Sequence, residues 1–137
     1  DGTFVYTHTG DDEEADHFMF EIYNDYGTSS AVATVNIIPK MDPPRVNNDR
    51  AKTSAGTPVR IDLLRNDKDK DSALNPGGIS ITEQPGNGTV EIIMATGEVM
   101  YTPKDGFTGK DFFRYRLADA ITGELSKRAA KVKVRVK

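Results

Sequence analysis

Three carboxylates recur at every second position in Asp67-Lys68-Asp69-Lys70-Asp71. In extended or looped backbone this spacing carries them to one side, where like charges repel unless water or a cation screens them. A hard divalent cation with oxygen ligands suits such a set. Calcium suits it better than magnesium, because calcium tolerates six to eight oxygens in irregular geometry. The plainer reading is a solvated polar turn with Lys68 and Lys70 as local counter-charges. An EF-hand is excluded, since that loop needs Gly at its sixth position and Glu at its twelfth. Counted from Asp67, those places hold Ser72 and Gly78.

Other chemistries find less support. His8 and His17 are the only histidines, and neither has a nucleophile or a second ligand at a useful spacing. No acidic pair is marked out as an acid/base couple, and no glycine-rich phosphate loop is present. Without Cys there are no disulfides, no zinc–thiolate site and no thiol nucleophile. An extracellular β domain lacking disulfides needs another staple, and bound calcium would serve. A net charge of −3 gives no global field for nucleic acid. No apolar run is long enough to span a membrane, and no signal peptide opens the chain. The chain opens directly on a strand-like segment, as a piece of something longer would. Tyr23 and Tyr26, near a turn, could stack on a sugar. The stripe Lys131, Lys133, Arg135 reads as the outer face of one strand, better explained as edge protection than as a polyanion site.

The elements that position these residues read as strands throughout. Thr3 to Thr7, then Phe18, Phe20 and Ile22, then Ala31, Ala33, Val35 and Ile37 alternate apolar with polar. A proline-bounded stretch follows and reads as a linker over 39–48. Seven further strands are expected: Ala51–Ser54, Val59–Leu64, Ile79–Thr82, Val90–Met94, Glu98–Thr102, Phe112–Leu117 and Ala130–Val136. Ala95-Thr96-Gly97 forms the tight turn between the fourth and fifth. No helical period of useful length appears. The expected fold is all-β, a seven-strand immunoglobulin-like sandwich over 49–137 preceded by a partial repeat over 1–38.

The partial repeat is visible as returning text. Gly2-Thr3-Phe4-Val5-Tyr6-Thr7 matches Gly97-Glu98-Val99-Met100-Tyr101-Thr102, an offset of 95 residues. At the same offset Asp16 falls on Asp111, Phe18 on Phe113, Phe20 on Tyr115 and Ile22 on Leu117. Ala31 to Val35 then corresponds to Ala130 to Val134 after a short insertion. Residues 1–38 therefore read as the last three strands of one repeat and 49–137 as a whole repeat. Three strands alone would expose apolar faces and open edges, so pairing with a second copy or packing on the complete domain is expected.

The run Thr57-Pro58-Val59 through Leu63-Leu64-Arg65-Asn66-Asp67-Lys68-Asp69 resembles the cadherin-like, immunoglobulin-like tandem repeats of large bacterial surface and secreted proteins. So do Gly88-Thr89-Val90, Val99 to Pro103, Phe107 to Asp111, and Phe113-Arg114-Tyr115 with Asp119. The first fragment, with Tyr6-Thr7-His8 and Asp16-His17-Phe18, is also similar to the chondroitin-sulfate-proteoglycan type of repeat. The chain departs from the pattern at Ser72 and Ala120, where glycine is common. The resemblance implies extracellular stalk or adhesion modules, often with calcium at the junction between domains.

In a seven-strand sandwich the loops after strands two and six lie at one end, which would bring Asp67, Asp69 and Asp71 near Asp119. The start of the domain, with Asn48 and Asp49, belongs to that end as well. Asp12 and Glu14, in an acidic loop of the preceding repeat, are expected to point at the same junction. Asp119 reads equally well as a turn residue accepting backbone hydrogen bonds. The functional expectation is a non-catalytic structural or adhesive module of a secreted or cell-surface protein, stiffened by calcium. Its expected partners are neighbouring repeats of the same chain, a cell-surface protein or glycan, and a second copy, with neither nucleic acid nor membrane insertion. The alternative is a carbohydrate-binding module attached to a secreted polysaccharide-degrading enzyme.

Overall fold

The computed structural model describes residues 2–7, 15–37 and 40–137. The chain divides into two compact units, Asp1–Lys40 and Met41–Lys137. His8, Asp12 and Glu14 lie outside the described residues.

The first unit contains a hairpin of β1 (Ala15–Asn24) and β2 (Gly27–Asn36), paired antiparallel from Ala15 opposite Asn36 to Asn24 opposite Gly27. The Asn24 side chain accepts the Tyr26 N–H at 2.9 Å, which closes the turn. A third strand was expected over Thr3–Thr7, but residues 2–7 carry no ladder. They are held by side chains. Phe4 meets Phe18 edge to face at 4.7 Å between ring centroids, and the Tyr6 hydroxyl donates to Asp16 at 2.8 Å.

The second unit holds β3 (Asp49–Thr53), β4 (Val59–Asp62), β5 (Ile79–Glu83), β6 (Gly88–Ile93), β7 (Glu98–Pro103), β8 (Gly109–Leu117) and β9 (Ala130–Val136). One sheet runs β3-β9-β8-β5 and the other β4-β7-β6. Pairing is antiparallel except between β3 and β9, which run parallel. Alternation decides which side chains face inward. Phe113, Tyr115 and Leu117 of β8 and Val132, Val134 and Val136 of β9 enter the core. They meet Ile61, Leu63, Val99 and Tyr101 from the other side. Each such side chain contributes roughly 1.5–3 kcal/mol by leaving water.

Three expectations are corrected here. First, β4 ends at Asp62, not Leu64: Leu63 adopts helical backbone and Leu64–Asn66 forms a 3-10 turn. The Asp62 carboxylate accepts the Leu64 and Arg65 N–H groups, both at 3.1 Å, so a local side-chain bond outcompetes the ladder. Second, residues 41–48 are not a free linker. Arg45 and Lys68 exchange backbone hydrogen bonds at 2.8 and 3.1 Å, and Pro44 is buried. Third, β9 is not an edge strand, because β3 covers one side of it and β8 the other. Lys131, Lys133 and Arg135 therefore protect no edge.

Candidate functional site

The short turn after β4 turns its carboxylates toward different partners. Asp67 points inward and is nearly fully buried. Its Oδ1 accepts the Asn47 N–H at 2.7 Å, and its Oδ2 accepts the Tyr115 hydroxyl at 2.8 Å. That hydroxyl also lies 3.1 Å from the Leu63 carbonyl and 3.4 Å from Oδ2 of Asp49. Asn66 Nδ2 donates to Asp49 Oδ1 at 3.0 Å and to the Asn48 carbonyl at 3.3 Å. The start of β3, the turn after β4 and the middle of β8 are thus tied around one phenol. Asn48 serves the same end of the sheet, its Oδ1 accepting the Lys131 N–H at 2.7 Å.

The electrostatics follow from burial. Burial, aided by the charge of Asp67, pushes the Asp49 carboxyl up to about 6. Hydrogen bonds from Tyr115 and Asn66 and the charge of Arg65 oppose the rise. Asp67 is also raised by burial, against the Asn47 N–H and the Tyr115 hydroxyl. The Tyr115 phenol is driven far above its ordinary value by burial and by Asp67. A phenol has a single proton. With Asp67 receiving it at 2.8 Å, Asp49 Oδ2 at 3.4 Å is left with the weaker share of that proton.

Asp69 and Asp71 are engaged elsewhere. Asp69 Oδ1 accepts the Asp71 and Ser72 N–H groups at 3.0 and 3.1 Å. Asp71 Oδ2 accepts the Asp42 N–H at 2.7 Å. Asp119, after β8, uses Oδ1 for the N–H groups of Ile121 and Thr122 at 2.8 and 2.6 Å and for the Thr122 hydroxyl at 3.0 Å. Its Oδ2 accepts the Ser72 hydroxyl at 3.3 Å. These donors, the Thr122 N–H foremost, hold Asp119 down to about 2, and Asp69 stands within hydrogen-bonding reach of it.

The expected convergence is therefore divided. Asp67 joins Asp49, Asp69 joins Asp119, and Asp71 stands apart with Asp42. Among the described residues, no group of three or more His, Cys, Asp or Glu side chains is arranged to hold a metal ion. A concavity of about 810 Å³ beside Asp69 is lined by Arg45, Lys68, Lys70, Lys127 and Arg128. Sequence reasoning missed the central roles of Tyr115 and Asn66, because which loop a buried hydroxyl meets is settled by packing across the sandwich. His17 is exposed, as are Tyr23 and Tyr26.

A second clamp lies around Asp111, on β8. Tyr101 donates its hydroxyl to Asp111 Oδ2 at 2.9 Å. The same carboxylate accepts N–H groups from Gly86 at 3.1 Å, Asn87 at 2.9 Å and Phe112 at 2.9 Å. It joins the β5–β6 loop to the start of β8. Sequence did carry a signal for this one, the tyrosine and aspartate ten residues apart that recur as Tyr6 and Asp16.

The family model of the bacterial Ig domain matches residues 41–133. The chain belongs to the bacterial Ig domain family. A search of curated proteins finds no match. The match falls within the unit Met41–Lys137 and includes both clamps. Bacterial Ig domains are structural modules, typically non-catalytic and commonly extracellular or at the surface. In this bacterial Ig domain the loop carboxylates act as internal staples, accepting backbone N–H groups that the irregular loops would otherwise leave without partners.

Proposed function

We propose that the chain is a non-catalytic spacer from a tandem array of bacterial Ig repeats in a secreted or cell-surface protein. One observation carries the reading: β1 and β2 pair in the register of β8 and β9. Phe18 stands opposite Ala33 as Phe113 stands opposite Val132, and Asp16 opposite Val35 as Asp111 opposite Val134. The Tyr6–Asp16 bond at 2.8 Å repeats the Tyr101–Asp111 bond at 2.9 Å. Burial differs at the matched positions. Phe20 and Ile22 are 39% and 65% exposed, whereas Tyr115 and Leu117 are fully buried. On this reading, strands equivalent to β3–β6 complete the first repeat.

The test is a fusion in which residues 41–96 are joined directly ahead of Gly2, which preserves the offset of the repeat. Amides of residues 2–37 should then gain protection from hydrogen exchange, and a second cooperative unfolding transition should appear. If residues 2–37 exchange as fast as before while Met41–Lys137 stays protected, the two-repeat reading fails.

Calcium is the second part of this proposal. The fit is limited, because all five carboxylates, Asp69 and Asp119 included, already accept internal donors that an ion would have to share or displace. Asp69 and Asp119 would hold the ion, with water completing its shell. The buried Asn66 Oδ1 has no hydrogen-bond partner among the described residues, and its amide belongs to the Asp49 cluster. A calcium titration of thermal unfolding, with magnesium as control, decides this. A ligand that binds only the folded state adds RT ln(1 + [L]/Kd), so millimolar calcium should raise Tm if Kd is below about 10⁻⁴ M. The shift should vanish in Asp119→Asn. No shift in the native chain removes calcium and leaves the spacer.

A further inference from the structure

We propose that the outward face of the β3-β9-β8 sheet binds a linear anionic polysaccharide, one bearing carboxylate or sulfate groups on successive sugars. The cations on this face are stacked against one another. Arg50 stands opposite Lys133 and Lys52 opposite Arg135 across the parallel pair. On the other side of β9, Arg135 also faces Lys110, and Lys131 faces Arg114. Like charges directly opposite in a sheet destabilise it. Of these side chains only Arg114 has an acidic partner among the described residues, Glu83 at 2.7 Å. Edge protection explains at most Arg50 and Lys52, on the edge strand β3; it does not explain Lys110, Lys131, Lys133 and Arg135, since β8 and β9 are each flanked on both sides.

The same face forms an open trough of about 480 Å³ with Phe112 in its floor. Lys131 Nζ sits 3.6 Å from the Phe112 ring centroid, which fixes one cation by a cation–π contact. Neighbouring strands lie about 4.8 Å apart and alternate residues on one strand about 6.8 Å apart, so the cations form a two-dimensional grid. A flexible chain of regularly spaced anions can lie along such a grid.

The opposite sheet bears the opposite charge. Its outward positions include Asp62, Glu91 and Glu98, with Arg60 paired to Glu98 at 3.5 Å. The two sheets stack about 10 Å apart, while the Debye length at physiological salt is about 8 Å. A polyanion on the basic face is thus kept at least a sheet-to-sheet distance from the acidic one. The net charge of −3 means the molecule as a whole attracts no polyanion, so binding needs a local cluster of cations, which this face supplies.

Nucleic acid fits less well. Single strands need several exposed aromatic rings for base stacking, and the trough is lined by one, Phe112, with Lys131 over its ring. A flat sheet face offers no helix or ribbon to enter a duplex groove.

The test uses the full chain at pH 7 with polygalacturonate and heparin as probes and neutral dextran as control. Both polyanions should bind at low salt, weaken steeply as salt rises, and leave dextran unbound. The exposed-site triple variant Arg50→Glu, Lys133→Glu, Arg135→Glu should lose about tenfold or more in affinity, the size expected if the loss is about 1.4 kcal/mol or more. Thermal unfolding confirms that the variant stays folded. Glu91→Lys, on the acidic face, should leave binding unchanged. The proposal is overturned if the native chain binds neither probe at low salt or if the triple variant binds as the native chain does. It is also overturned if poly(U), duplex DNA or phosphatidylserine vesicles bind this face more tightly than the glycans.

Discussion

The hydroxyl of Tyr101, deep between the sheets, donates to Asp111 at the start of β8, and both residues are buried. Asp111 in turn holds three backbone N–H groups, two of them from the β5–β6 loop. The carboxylate thus replaces a stretch of ladder that the loop cannot supply.

Removing its parts should have unequal effects. Tyr101→Phe deletes one bond and leaves Asp111 with its N–H donors, so a loss of about 1–2 kcal/mol is expected. Asp111→Ala orphans the loop N–H groups as well and should cost about 3–4 kcal/mol. Urea unfolding checks this, with the midpoint moving and the m-value constant.

Asp49 predicts an inverted pH response. Its folded value, about 6, stands above the ordinary 3.8. The folded state therefore binds the proton more tightly than the unfolded chain. The resulting stability is fully present below about pH 3.8 and is lost as pH rises through about 6. Asp67, also raised, acts in the same direction. Asp119, held down to about 2, acts oppositely, its contribution being lost as pH falls from the ordinary 3.8 through 2. From pH 7 to pH 5 stability should therefore increase, by on the order of 1–3 kcal/mol. Asp49→Asn should flatten that interval in a pH series of thermal unfolding.

Two glycines should tolerate alanine differently. A Cβ at Gly88 would lie 2.7 Å from the Thr102 carbonyl oxygen and 2.6 Å from the Tyr101 ring. Backbone and a buried ring cannot retreat, so Gly88→Ala should cost about 2–3 kcal/mol. At Gly97, φ is +76° and the nearest atom is the end of Leu64, a movable side chain. The left-handed backbone should set the cost of Gly97→Ala at about 1–2 kcal/mol. Paired denaturation curves would give the order.

The basic face should also be legible in stability. Arg135 lies opposite both Lys52 and Lys110. Arg135→Glu should therefore raise stability by about 0.5–1 kcal/mol at low salt, and the gain should shrink at high salt. Melting the variant and the native chain at two ionic strengths measures this directly.

The strands of the second unit were legible because each exposes one face and buries the other, which writes a period of two into the sequence. Ala130–Val136 was read with its observed bounds for that reason. The repeat was legible too, because Tyr6 and Asp16 keep the spacing of Tyr101 and Asp111. Residues 2–7 were not, since alternation records which side chains face inward but not whether a partner strand is present. The carboxylates show the same limit. Sequence alone determined that acidic side chains cluster in the turn after β4 and recur after β8. Sandwich topology brought Asp69 near Asp119 but could not assign Asp67 to Tyr115, because that partner is 48 positions away and is met only when the two sheets close. Tertiary structure alone decided the place of β9. Its alternating lysines read the same on an edge or in the interior, and only the parallel docking of β3 makes it interior. A strand's own residues fix which face meets water, while the hydrogen-bonding edges are backbone and identical in every sequence.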